Sequence, residues 1–353
     1  MSSKQNPEQF SHADFTAAVA AETGVPAADL TGRADPIVEA DDNLLALAKA
    51  ANEDRRAERG GDLPDILRPV ADQYEAQVKV LTETGVIDFD VSAGRHRLHG
   101  IDGLTYYLPD QEGIEKLLAE KADLLVEKAE QGFDRLLLVP FGMSIDHIAK
   151  QYEEALREAH TNDRLLDVDG SELDLNTDEP VYDWIEMRKA DLNNEIVYDP
   201  KRFDDNHGGK TKTEMLADGV TPGWQILLVE DVERQGLGNN PRENAAQTVG
   251  DRPQLPTNRS SNDYLSQFGE EPYQGEVGLT PEAYLTLVLN QLKEHGKVLD
   301  TETGTFLTGA WMPGQREVPY AYWGRGKRQA RLDAVVPDNA DADWGPRSAV
   351  RVT

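Results

Sequence analysis

The longest apolar run in this chain is "LLLVPF", Leu136 to Phe141. Six residues fall far short of the roughly 20 that a helix needs to cross a bilayer. They match a short strand buried on both faces. The run sits in "RLLLVPFGM", and Ser144 follows as the N-cap of a helix that carries Ile145, Ile148, Tyr152 and Leu156 on one face. No stretch approaches a membrane span, and "MSSKQNPEQFSHADF" lacks the basic and apolar regions of a signal peptide. The expectation is a soluble chain whose compartment is open, cytoplasmic by default.

Texture changes near Arg135. Residues 1–131 read as a polar, helical N-terminal region, with helical spacing over 64–84 (Ile66, Leu67, Val70, Tyr74, Val78, Leu81) and over 112–131 (Ile114, Leu117, Leu118, Leu124, Leu125). Alternation in "GVIDFDVSAGRHRLHGIDGLTYYLP" predicts a small hairpin between them. After 132, strand-like pieces recur at "PVYDWIEM", "EIVYDP" and "GWQILLVEDV". A long Gly-, Pro- and Asn-rich passage from Glu233 to Gly278 reads as irregular and self-packed. "LTPEAYLTLVLNQLKEHG" then predicts a helix with Thr280 as N-cap, Pro281 at its first position and Gly296 beyond its end. Its buried stripe is Tyr284, Leu285, Val288, Leu289 and Leu292. Short β segments close the chain, so the fold class is α+β.

The 353 residues carry a net charge of −29 and no cysteine. Too few clustered Lys and Arg are present for nucleic acid to be the partner. An acidic face suits a basic partner; a solvated surface of the salt-adapted kind accounts for the same charge, and Arg outnumbers Lys 22 to 14. Disulfides, thiolate metal sites and Cys nucleophiles are excluded. "GGKT" around Gly209-Lys210-Thr211 fails as a phosphate loop, because Asp204 stands where the first Gly is needed. "DVDGSELDLNTDE", Asp167 to Glu179, lacks the spacing of an EF-hand and reads as a polar turn or an irregular cation site. The seven histidines show no zinc-hydrolase spacing, and there is no G-x-S-x-G elbow. These readings assign no catalytic residue, no cofactor and no metal.

The tail is the distinctive part. "GAWMPG", "VPYAYWGRGKRQA" and "GPRSAVRV" alternate as a half-buried antiparallel sheet does, with Trp311, Tyr320, Tyr322 and Trp323 as anchors. Arg325, Arg328, Arg347 and Arg351 concentrate there and suit planar, multi-donor pairing with acidic neighbours. Together with "LTPEAYLTLVLNQL", "FDRLLLVPFGMSIDHI", "LDLNTDEPVYDW" and "GWQILLVEDV", these segments resemble a family from uncultivated bacteria and archaea with small genomes, itself similar to the variable proteins of diversity-generating retroelements. The resemblance covers roughly residues 130–353. It implies a C-type lectin-like domain of the branch shared with formylglycine-generating enzymes, over 132–353, with short antiparallel strands and long irregular loops. It also implies a variable segment at about 320–346. The Glu-Pro-Asn, Gln-Pro-Asp and Trp-Asn-Asp signatures of calcium-dependent sugar binding are absent, and so is the cysteine of the formylglycine-generating enzymes.

Rewriting of adenines in AAY-type codons cannot reach Glu, Lys, Gln, Trp or Met. "DAVVPDNADAD", Asp333 to Asp343, contains none of the five. A GC-rich, salt-adapted genome favours the same composition. The displayed set implied by the resemblance is Tyr322, Gly324, Gly326, Arg331, Asp333, Ala334, Val335, Asp338, Asn339, Ala340, Asp341 and Asp343. Trp311, Trp323, Arg325, Arg328, Gln329, Leu332, Arg347, Val350 and Arg351 are the scaffold. The expected activity is binding of a protein or other macromolecular ligand, a basic one in view of the charge. The alternative is an α/β enzyme or regulator with its site in 135–230, near Ser144, and a purely structural tail.

Overall fold

Two small sheets and one central helix organise the described residues, which in this computed structural model are 63–353 apart from Ala246. The helical character expected of residues 1–62 lies outside them. The architecture is α+β. Along the chain, the strands of the two sheets are β1 (Arg135–Val139), β2 (Val181–Asp183), β3 (Gln225–Val229), β4 (Glu276–Gly278), β5 (Gly304–Phe306), β6 (Val318–Gly324), β7 (Gln329–Val335), β8 (Trp344–Pro346) and β9 (Ser348–Arg351). The first sheet runs β4-β9-β3-β1 and is antiparallel throughout. The second runs β8-β5-β6-β7-β2, antiparallel at its centre and parallel at both edge pairs. The final strand, β9, thus lies in the sheet opened by "RLLLV".

Around the sheets pack α1 (Tyr74–Glu83), α2 (Ile145–Thr161) and α3 (Pro281–His295). The caps are those expected. Ser144 Oγ accepts from the His147 amide, Thr280 Oγ1 accepts from the Ala283 amide, and Gly296 ends α3 at φ 72°. A left-handed residue there favours glycine, which has no Cβ to clash.

The stripe expected on α3 proved too narrow. Every residue from Pro281 to Leu292 is buried, because the helix packs against α1, α2 and β1. Distant segments supply partners for some of its polar side chains: Asn290 Nδ2 donates to Gln77 Oε1 at 2.8 Å, and Gln291 Nε2 to Glu233 Oε1 at 2.6 Å. Glu282 accepts from Tyr198 Oη at 2.6 Å and pairs with the buried Lys212 at 2.8 Å. Buried polar groups are stable only with such partners.

The N-terminal region also differs from expectation. The single helix anticipated over 64–84 is a 3₁₀ turn (Asp65–Leu67), a four-residue helix (Arg68–Ala71) and then α1. The stretch 112–131 is two helices, Gln111–Glu120 and Ala122–Glu130, broken at Lys121, whose φ of −116° leaves the helical well. The hairpin region 88–107 is a three-stranded antiparallel sheet. The expected boundary at 131/132 does not divide the core. Leu67, Leu81, Leu118 and Leu125 join one buried cluster with Leu136, Leu228, Leu289 and Val350, and residues 63–353 form one unit.

The passage 233–278 is built around Arg252, which is fully buried. Its Nε and one terminal nitrogen donate to the two oxygens of Glu276 at 2.7 and 2.8 Å, and its other terminal nitrogen reaches Glu230 at 3.0 Å. Leu255, Phe268 and Tyr273 make a small core of their own beside it.

Candidate ligand-binding face

The hairpin β6–β7 sets the geometry. Tyr320 faces Asp333 across the ladder, Tyr322 faces Arg331, and Val318 faces Val335. With side chains alternating along each strand, these residues share one side of the sheet, and Ala321, Trp323, Ala330, Leu332 and Ala334 share the other. The inner side is core. Ala321, Trp323 and Leu332 are at most 4 % exposed and meet Tyr284 and Leu285 of α3.

The outer side gathers aromatics from four strands. Tyr320 stacks on Trp344 of β8 with ring centroids 4.2 Å apart, and on Tyr322 at 5.7 Å. Phe306 of β5 meets Trp344 edge-on at 5.6 Å. Tyr264, from the helix Ser261–Gln267, backs Phe306. At the far edge, the Arg331 guanidinium lies 4.2 Å from the Tyr182 ring centroid on β2 and 5.9 Å from that of Tyr322. Tyr322, Arg331, Tyr182 and Trp344 are all half-buried. Offset aromatic stacks and cation–π contacts of this kind add about 0.5–1.5 kcal/mol each beyond burial.

After Val335 the chain leaves β7 and rejoins the sheet at β8, on the other side of β6 and β5. The connecting loop, 336–343, is tied to the segment 258–262. Asn262 Nδ2 donates to Asp338 at 2.7 Å, the Asn258 amide donates to the Asp341 carbonyl at 3.0 Å, and Ser260 bridges to Ala340. Asp343 pairs with Arg242. Asp333, Asp338, Asp341 and Glu317 bring negative charge to this side, and among the described residues Arg331 alone is in ion-pair range of any of them, at 3.4 Å from Asp333. Burial, with Asp333 nearby, pushes the Glu317 carboxyl above the ordinary glutamate range. Burial, again with Asp333, raises the Tyr320 phenol.

None of the twelve residues of the displayed set is buried. They do not form one patch. Tyr322, Arg331, Asp333 and Val335 lie on the outer face, Asp338 to Asp343 on the loop, and Gly324 and Gly326 at the β6–β7 turn. Ala334 has the inner parity and packs at the edge of the main core, so it faces away from the others. Asp333 to Asp343 is not one loop either, since β7 continues through Val335.

Of the scaffold residues, Trp311, Trp323, Gln329, Leu332, Arg347 and Val350 are buried, Arg351 is half-buried, and Arg325 and Arg328 are exposed. The four arginines each clamp an upstream acid. Arg347 makes a 2.6 Å bond to Asp300 and donates to the carbonyls of Leu237 and Gly238 at 2.8 and 3.1 Å. Arg351 grips Asp199 with both terminal nitrogens. Arg325 bonds Asp167 at 2.6 Å, and Arg328 bonds Asp174 at 2.5 Å. The carboxylate-rich stretch 167–179 therefore holds two of the four, Arg325 and Arg328, and Asp167 also accepts from Thr301 Oγ1 at 2.5 Å. Among the described residues, no cluster of three or more His, Asp or Glu is arranged to hold a metal ion, and no helix is long and apolar enough to cross a membrane.

Sequence reasoning missed Tyr182, Glu317 and Trp344 as members of this face, and Asp300 as the partner of Arg347. "PVYDWIEM" marked Tyr182 as strand-like without showing which strand it would pair with. No signal existed for Asp300, 47 residues from its arginine.

Near Ser144, a cleft of about 360 Å³ opens between the 88–107 sheet and the start of α2, lined among others by Ile87, Leu98, His99, Met143 and His147. The strand–helix step is present, but β1 pairs antiparallel with β3. The parallel α/β unit that would aim a helix start at a ligand does not form there. Ser144 Oγ is occupied as a cap, and the His147 ring is 3.4 Å from the Gly85 carbonyl. No family model, no curated protein and no solved structure matches this chain.

Proposed function

We propose that this chain is a ligand-binding variable protein of the diversity-generating-retroelement kind. The outer face of the second sheet and the loop 336–343 display exchangeable side chains on a fixed C-type lectin-like framework, and they bind a protein or other macromolecular target. The chain is in this reading a binder, with no catalytic step. What supports it is the partition between the two residue sets: the twelve displayed positions all reach the surface, while the scaffold residues between and beside them are buried or clamped. Side chains at half-exposed strand positions can be exchanged at low cost in stability, whereas core positions cannot. Rigid aromatics such as Tyr322 supply contact area with little entropy to lose. Resequencing the gene across a natural population tests the proposal. Substitutions confined to the displayed codons are expected; uniform codons, with no template repeat or reverse transcriptase gene nearby, overturn it.

The cleft beside Ser144 favours a second reading, a small-molecule enzyme or regulator, because its volume falls in the range of ligand pockets. A ligand screen must use the full chain, since β3 pairs on its other edge with β9. Turnover or saturable binding that is lost in His147→Ala would support that reading over the first.

A further inference from the structure

We infer that the outer face is a receptor for the guanidinium groups of a basic target, and that Arg331 fills the slot beside Tyr182 until such a target arrives. The inference rests on the proposed binding role of this face and names the chemistry it takes.

Arg331 is held unlike the other arginines near the tail. Arg347 and Arg351 each donate two or more close bonds to a carboxylate or carbonyl. Arg331 has one long contact, 3.4 Å to Asp333, and its buried Nε has no hydrogen-bond partner. What fixes it is the Tyr182 ring at 4.2 Å, with the Tyr322 ring at 5.9 Å on the other side. The planar cation therefore sits in a site made by ring faces, the arrangement that favours guanidinium over the compact, strongly hydrated ammonium of lysine.

Charge points the same way. Of Glu317, Asp333, Asp338 and Asp341, Asp333 alone has a cation in ion-pair range among the described residues, and Arg242 on the loop is taken by Asp343. Burial is the larger cause of the raised Glu317 carboxyl and Tyr320 phenol, and the nearby Asp333 charge adds to both. Arriving cations relieve that crowding, and the chain's net charge of −29 steers them in. Tyr182, on β2, lies outside the C-terminal variable segment. It gives the face a constant arginine anchor around which the exchangeable residues select the rest of the target.

Fluorescence anisotropy with labelled oligo-arginine and oligo-lysine peptides, titrated into the full chain at physiological ionic strength, tests this. The readout is the preference for arginine over lysine. Arg331→Ala empties the slot and is expected to raise that preference about fivefold, the size of one cation–π contact. Adding Tyr182→Leu, which keeps apolar packing and changes no charge, is expected to abolish the gain. Equal tightening for both peptides in Arg331→Ala, or a preference that survives Tyr182→Leu, means diffuse charge attraction and overturns the inference. So does Tyr182-dependent, salt-insensitive binding of a neutral oligosaccharide, which would make the face a sugar platform. These titrations do not depend on codon variation. Uniform codons in a population would remove the diversification while leaving an arginine preference standing, and the reverse result would remove only the guanidinium site.

Discussion

Arg347→Ala removes the most deeply buried of the four arginine clamps. Its side chain is 8 % exposed and that of its partner Asp300 is 0 % exposed. Asp300 also accepts from Tyr284 Oη at 2.9 Å and Thr305 Oγ1 at 2.8 Å, so the pair joins α3, β5 and the segment before β9. Truncation leaves a buried carboxylate with two neutral donors and no counter-charge, and it frees the carbonyls of Leu237 and Gly238. Breaking one side of such a pair costs about 3–5 kcal/mol, most of it the uncompensated charge. At about 2–4 °C per kcal/mol for a domain of this size, the melting midpoint falls by roughly 6–20 °C. Thermal unfolding followed by far-UV circular dichroism measures it. The double variant Arg347→Met with Asp300→Asn removes both charges, and asparagine tolerates the φ of 55° at position 300. It is expected to lose much less than Arg347→Ala. A midpoint for Arg347→Ala within about 2 °C of the parent, or a double variant that is worse than the single one, refutes this account of the tail.

Leu332→Ala on the inner face of β7 opens a cavity beneath Tyr284 and Leu285 and should cost about 2–5 kcal/mol by urea titration. Asp338→Ala, on the loop, loses one exposed bond to Asn262 and should stay within about 0.5 kcal/mol of the parent in the same assay. Glu317 supplies a pH test. Its folded carboxyl is raised by burial and by Asp333, so its ionisation costs stability as pH climbs through and above the ordinary glutamate range. Glu317→Gln should therefore raise the melting midpoint at neutral pH and leave it unchanged in acid below that range. A gain that is the same at both pH values contradicts the assigned cause.

Where local chemistry decides structure, the sequence was readable. Ser144, Thr280 and Gly296 mark helix ends through their own side chains or backbone freedom, and the alternation of "VPYAYWGRGKRQARLDAV" shows the β6–β7 hairpin in a single segment. Legibility failed where partners lie far apart. Thr286, Asn290 and Gln291 look like a solvent face on α3 until Gln77 and Glu233 arrive to bond two of them. The face itself was half legible. Tyr322, Arg331 and Asp333 were expected through the family resemblance and share a parity in the β6–β7 ladder, whereas Tyr182 joins them only because a three-residue strand pairs in parallel with β7. No local pattern encodes a pairing that short. Ala334 shows the opposite failure: Asp333, Ala334 and Val335 read alike in a contiguous stretch, although a strand turns every second residue inward.

The central claim is that one set of positions can change freely while the other cannot. Two libraries measure this directly, one randomising the displayed codons other than that of Ala334, which packs against the core, and one randomising Trp311, Trp323, Gln329, Leu332, Arg347 and Val350, each sorted for folded, protease-resistant chains. The account predicts that most members of the first library survive sorting and that the second collapses to near-parental sequences. Equal losses in the two libraries would contradict it.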